Sequence, residues 1–331
     1  MMLGSAAISA LAETLRRSHG LAAKADIGTA TARLGLGGAG AVPVGDDCAA
    51  IPDGDGYLLF AIEGFMNEFV AGDPWFAGWC GVMVNVSDIA AMGGRPLAIV
   101  DAVWADGEAN AAPVLDGLRA ASERFGVPLV GGHTNIRTDR GQLSVAILGR
   151  ANRLLTSFDA RPGERLIAAV DLRGGYRVPF SNWEAATDAP ASRLQGDLAL
   201  LPTIAEAGLA RAAKDISQGG IVGTAAMLAE CSGVGIAIDP AAIPTPPGVE
   251  LARWLLTFPS FGFLLSVRPD EVPVVSALFA GRGIACADIG AITAERRVTI
   301  GSGSAVETVW DFARAPLLGC GPSRFAGESA A

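Results

Sequence analysis

Asp88 is the residue around which chemistry can be organised, because it interrupts an otherwise apolar run. Trp79, Val82, Met83, Val86, Ile89, Ala90 and Met92 leave no room for a polar stripe, so the segment reads as a helix buried nearly all round. Gly93 and Gly94 predict where it stops, and Pro96 bars a restart. Asn85 stands three residues before Asp88, on the same face and one turn away. An ionised carboxylate in such a setting is costly unless a cation or hydrogen-bond donors meet it. A metal ion or a cationic ligand is therefore expected beside Asp88.

Other acids collect in the same half of the chain. Asp46 and Asp47 lie in Val44-Gly45-Asp46-Asp47-Cys48, where they serve either a ligand or a turn. Glu63 is expected at the carboxyl end of the apolar strand Tyr57–Ile62, the place where α/β sheets present ligands. A strand at Val127–Val130 is expected to run into Gly131-Gly132-His133-Thr134. Paired glycines there would let the backbone approach a ligand, and His133 is either a hydrogen-bonded loop residue or an acid–base group. Several acids without matching bases imply Mg²⁺.

Composition narrows the partners. The net charge of −9 is broken by no basic cluster, which argues against nucleic acid. Lys24 and Lys214 are the only lysines, and neither follows a glycine, so the lysine-containing phosphate loop is absent. Lys24 stands before the glycine-rich stretch Leu34–Gly40, which reads as a linker, a lid or a phosphate cradle. No apolar run is long enough for a membrane span and no leader pattern opens the chain, so a cytoplasmic protein is expected. The five scattered cysteines predict buried thiols rather than disulfides or a zinc site.

Positioning these groups requires an α/β framework. The pattern predicts a helix over Ser5–His19, then a loose segment. It continues with a strand at Leu97–Trp104, a helix at Asn110–Phe125, and a strand at Gln142–Gly149 running antiparallel after an Asp139-Arg140-Gly141 turn. A basic, proline-containing joint predicts domains at 1–153 and 160–331. In the second domain Lys214-Asp215-Ile216-Ser217-Gln218-Gly219-Gly220 leads into a helix over Ile221–Cys231, whose exposed amides suit a phosphate. Further strands are expected at Arg165–Val170, Val234–Ile238 and Ile284–Ile289, with a helix at Glu271–Ala280. Between Asp171 and Glu184, Arg173 and Arg177 suit a phosphate or carboxylate, and Tyr176 and Trp183 a flat ring. The plainer reading of that stretch is an ordered loop.

Three stretches together, 44–49, 84–96 and Gly131–Thr134, resemble the N-terminal domain of the aminoimidazole ribonucleotide (AIR) synthetase, or PurM-like, superfamily. Residues 214–221 and Thr257–Leu265 resemble its C-terminal domain, and Asp171–Glu184 is similar to the AIR synthase-related group. The superfamily includes thiamine-monophosphate kinase, selenophosphate synthetase, formylglycinamidine ribonucleotide synthetase and the hydrogenase maturation carbamoyl dehydratase.

The resemblance implies a two-domain α/β fold, a homodimer whose N-terminal domains share an intersubunit β-barrel, and ATP bound where the domains meet. It implies that Asp46 or Asp47, Asp88 and Asp215 hold Mg²⁺, with Asn85 in support and Glu63 as a longer substitute for aspartate. Lys24, Gly45, Gly132, Ser217, Gly219 and Gly220 would line the cofactor, with His133 near the acceptor.

There are departures from the relatives. His133 and Gln218 stand where the thiamine-monophosphate kinases carry aspartates. No cysteine precedes Cys48, as selenophosphate synthesis needs, and Cys320 is not terminal, as in the dehydratase. The expectation is an ATP-dependent enzyme that phosphorylates or activates an oxygen of a small molecule, kinase-like or ligase-like. The alternatives are a nucleotide-binding dimer that has lost catalysis, and a metal-dependent hydrolase.

Overall fold

The structure, a computed structural model, describes residues 4–36 and 42–320. Most of the glycine-rich stretch at 34–40 therefore lies outside the described residues.

Three helices open the chain: α1 (Ser5–Arg16), α2 (His19–Ala22) and α3 (Ala25–Leu34). The loose segment expected after His19 is thus largely helical. The hairpin β1 (Ala49–Asp53) and β2 (Gly56–Phe65) follows, then α4 (Asn67–Gly72), α5 (Pro74–Ala91), β3 (Arg95–Asp106) and α6 (Glu108–Phe125). Next come β4 (Leu129–Asn135) and β5 (Arg137–Ala151). Beyond them lie β6 (Arg165–Val170), β7 (Gly175–Tyr176), β8 (Asn182–Glu184), α7 (Ala191–Leu198), α8 (Leu200–Ala207), β9 (Ala212–Asp215) and α9 (Gly220–Ser232). The remainder is β10 (Gly235–Ile238), α10 (Leu251–Leu255), β11 (Phe258–Pro259), β12 (Gly262–Val267), α11 (Val272–Ala280), β13 (Ala285–Thr293), β14 (Arg297–Ser302) and β15 (Ala305–Asp311).

These elements form two compact units. The five-stranded unit comprises Asp47–Leu154 and Ala186–Glu206. Its sheet has the order β1-β2-β5-β3-β4, antiparallel except for the parallel β3/β4 pair. Helix α5 begins where the Asp73 side chain accepts the Phe76 amide, with Pro74 in its first turn, and it ends before Gly93 at φ +74°. It is buried nearly all round, as its composition requires.

Helices α5 and α6 lie backbone to backbone at Gly78 and Gly117. A Cβ at Gly117 would sit 1.9 Å from the Trp75 carbonyl oxygen, and one at Gly78 would sit 2.1 Å from that of Val114.

The seven-stranded unit comprises Met1–Asp46, Leu155–Ala185 and Ala207–Ala331, with the order β15-β14-β10-β13-β6-β12-β9. A boundary near residue 153 does not describe this partition, because the N-terminal helices pack onto the C-terminal half. Leu11, Ala12 and Leu15 of α1 join the core that surrounds α9, and Arg16 Nη1 donates to the Thr308 carbonyl at 2.6 Å.

Two local expectations change in the five-stranded unit. Gly131-Gly132-His133-Thr134 is not a loop beyond a strand but the body of β4, because pairing with β3 overrides the low strand propensity of glycine. Asp139-Arg140-Gly141 lies within β5, in the irregularity between the β3 pairs Trp104/Gln142 and Asp106/Arg137.

Candidate functional site

The buried helix α5 brings the acidic centre together. Asp88 is 7% exposed, and one of its carboxylate oxygens lies within 4.8 Å of one of Asp47's. One turn earlier, Asn85 is fully buried, and its Nδ2 donates to the carbonyls of Gly81 (2.8 Å) and Val145 (3.1 Å). With both donor hydrogens used, Asn85 Oδ1 faces no donor among the described residues, although it is buried. Two carboxylates this close, with an amide oxygen one helical turn earlier that lacks a donor, fit a hard divalent cation such as Mg²⁺.

The choice between Asp46 and Asp47 follows from burial. Asp46 Oδ2 accepts the Ser157 amide at 2.7 Å, and Oδ1 accepts the Ser157 hydroxyl at 2.6 Å. Lys214 Nζ is 3.8 Å from the same Oδ1, and no part of the Asp46 side chain reaches solvent. Asp46 is therefore spent inside the seven-stranded unit, and Asp47 is the member of the pair that approaches Asp88. Gly45 adopts φ +124°, with Cys320 against it and its carbonyl 3.8 Å from Cys231 Sγ. Burial pushes the Cys231 thiol well up, so it stays neutral there.

His133 is separated from Asp88. Val145 faces α5, since a Cβ at Gly81 would touch its Cγ2 at 2.7 Å, and Val145 is the cross-strand partner of both Glu63 and Asp101. His133 pairs with Ala102, whose side chain points to the opposite sheet face. There its ring lies 5.6 Å from that of Trp104. The expected link between His133 and the acidic centre is not made within one chain, because a register of one residue puts them on opposite faces.

Gly132 has a different purpose from the one expected. A Cβ there would lie 2.6 Å from the Asp101 carbonyl oxygen and 2.6 Å from its Oδ1. The missing side chain thus makes room for Asp101, whose carboxyl is pushed above its usual range by burial. The sequence signal for Asp101 is an acid within the apolar run Leu97–Trp104. Glu63 lies within β2 rather than at its end, with its side chain exposed.

Within the seven-stranded unit, Asp215 ends β9 and is 5% exposed. Lys24 donates to Ser217 Oγ at 3.2 Å, beside the turn that opens α9. Gly219 caps that helix. Gly220 has φ +63°, and a Cβ on it would meet the Leu255 carbonyl at 2.0 Å. Its amide is consumed by the Ser217 carbonyl at 2.8 Å, so Gly220 shapes the turn rather than offering an anion donor.

The 171–184 stretch is knitted into its own unit. Arg173 bonds Asp171 through Nε (2.8 Å) and Nη2 (3.1 Å), and the Arg282 carbonyl through Nη1. Trp183 is buried, its indole N–H donates to the Asp171 carbonyl, and its ring packs edge-on against Tyr176 and Trp254. Tyr176 hydrogen-bonds Thr257 and lies under the Arg253 guanidinium, 3.6 Å from the ring centroid. The aromatic surfaces expected for a flat ligand are thus occupied by protein. The Arg177 amide donates to the Asn182 carbonyl.

The AIR synthase-related protein N-terminal domain matches residues 45–151, and the C-terminal domain matches residues 179–302. The chain belongs to the AIR synthase-related family. An uncharacterized protein from Synechocystis sp. is 48% identical over 95% of this chain and 98% of its own length. A thiamine-monophosphate kinase from Methanospirillum hungatei is 29% identical over 62% of this chain and 72% of its own.

T. maritima PurL, solved in complex with ATP, superposes with a TM-score of 0.69 at 19% identity and shares the fold. That match covers 83% of this chain and 46% of PurL, so the chain spans about half the length of that relative. The two-domain α/β PurM-like fold follows from these likenesses. Among the described residues, no helix is long and apolar enough to cross a membrane.

Proposed function

We propose that this protein is a Mg²⁺- and ATP-dependent enzyme that phosphorylates or activates an oxygen of a small molecule, in kinase-like or ligase-like phosphoryl transfer. The observation that carries the reading is the approach of Asp47 and Asp88 to within 4.8 Å, with the unsatisfied oxygen of Asn85 one turn earlier on the same helix. Relatives named as a kinase and as an ATP complex support it.

Asp47 and Asp88 hold the ion, and Asp215 is proposed as a metal ligand of the seven-stranded unit. Lys24, Ser217 and Gly219 serve the phosphates at the start of α9. Mg²⁺ supplies charge neutralisation on the phosphates, which is most of what such a transfer asks of a protein. A cytoplasmic setting, with its ATP supply, fits this reading. Calorimetric titration with ATP, with and without Mg²⁺, tests it: binding is expected only with the metal, and no binding at any Mg²⁺ concentration would overturn it.

A second reading, a nucleotide-binding dimer without catalysis, is favoured by the position of His133, which leaves the acidic centre without the acid–base group expected from sequence. ADP formation with candidate acceptors decides between the two.

A homodimer belongs to either reading. Ile51, Phe60, Ile62, Val100 and Leu148 are all exposed on the sheet face that points away from α5, an apolar surface that calls for a cover. We propose a second copy there, forming the intersubunit barrel. Ile62 is 66% exposed, and Ile62→Asp is expected to give a folded monomer by light scattering. A wild-type protein that is monomeric at micromolar concentration would remove the proposal.

A further inference from the structure

We propose that Asp46 is a positioning residue, whose buried ion pair with Lys214 fixes the backbone that leads into Asp47. The inference rests on the reading of Asp47 as a Mg²⁺ ligand. Two sequence doublets are involved, Asp46-Asp47 and Lys214-Asp215. In each, the first residue turns into the seven-stranded unit and the second is a proposed ligand. The first residues meet at 3.8 Å, with side-chain exposures of 0% for Asp46 and 5% for Lys214.

A lysine in the buried strand β9 needs a partner, because an ammonium out of water is costly unless compensated. Asp46 provides that partner and is itself held firmly. Its two oxygens accept the amide and hydroxyl of Ser157. The Ser157 carbonyl in turn accepts the Ser232 hydroxyl at 2.7 Å, and Ser232 Oγ accepts the Ala160 amide at 3.0 Å. The chain of bonds runs from the end of α9 through residues 157–160 to Asp46. On the other side, Lys214 is fixed by the pairing of β9 with β12 through Leu264. Mg²⁺ demands near-ideal octahedral geometry, so small displacements of its ligands weaken it strongly. An anchor adjacent in sequence to Asp47 supplies that control without touching the ion.

The test is Mn²⁺ binding in the presence of ATP, followed by electron paramagnetic resonance on the full chain. The variants are Asp88→Asn, the double variant Asp46→Asn/Lys214→Met, and Ser157→Ala. The double variant removes both charges together, so net charge is unchanged and no buried charge is left alone. It is expected to melt close to wild type yet to bind Mn²⁺ about tenfold or more weakly, the loss usual for groups that orient a metal ligand. A merely structural pair would move the melting temperature and leave the Mn²⁺ affinity unchanged.

Binding by the double variant within about threefold of wild type overturns the inference. If the double variant fails to fold, Ser157→Ala decides. It keeps the ion pair but loses the hydroxyl that orients Asp46, so weaker Mn²⁺ binding is expected and wild-type affinity overturns the inference. Retained affinity in Asp88→Asn would instead bring down the ligand reading itself.

Discussion

Asp88→Asn is expected to lower metal-dependent nucleotide affinity about 100-fold or more, with no loss of stability in metal-free buffer. Asparagine has the same shape, so α5 and its packing are retained. What disappears is one negative charge buried within 4.8 Å of the carboxylate of Asp47. In the metal-free protein that charge is buried close to a like charge, so neutralising it relieves repulsion and offsets what the substitution removes. With the ion present, the same charge is a ligand. A single charge-assisted contact is worth about 1.5–3 kcal/mol, and a divalent cation places the loss at or above the upper end. Thermal melts in a chelator, paired with ATP calorimetry in Mg²⁺, separate the two effects. A loss of affinity under about threefold, or a large fall in the chelated melting temperature, would make Asp88 a structural residue.

Gly117→Ala is expected to cost about 3 kcal/mol or more, through forced separation of α5 and α6. The methyl would start 1.9 Å from the Trp75 carbonyl oxygen and 2.9 Å from the Trp79 amide nitrogen. Both are backbone atoms in the first two turns of α5, so no side chain can swing aside. Overpacking of this kind usually costs about 1–3 kcal/mol where side chains yield, and more where they cannot. For a chain of this size, the melting temperature should fall by about 4 °C or more. Because α5 carries Asn85 and Asp88, Mg·ATP affinity should fall with it. Gly175→Ala is the control, since a Cβ there meets nothing within 4 Å. Equal melting temperatures for the two variants would show that the helices part at little cost.

The sequence by itself determined the elements whose signals are local. The apolar run around Asp88 defines a buried helix, and the Gly93-Gly94 pair marks its end, because burial and chain reversal are read from nearest neighbours. Strand β6 falls at Arg165–Val170 as its composition requires, and the family likeness is carried by short motifs in a fixed order.

What the tertiary structure decided depends on pairing between distant residues. The glycine-rich 131–134 segment is a strand because β3 lies beside it, and that register sends His133 to the face away from Asp88. Asp46 and Asp47 are chemically the same and adjacent. Only the position of Ser157, 111 residues away in sequence, and of Lys214 makes one an anchor, while the other approaches Asp88. Periodicity and composition fix which face of an element is buried, but which atoms meet across that face is settled by strand register and close packing, and neither is encoded locally.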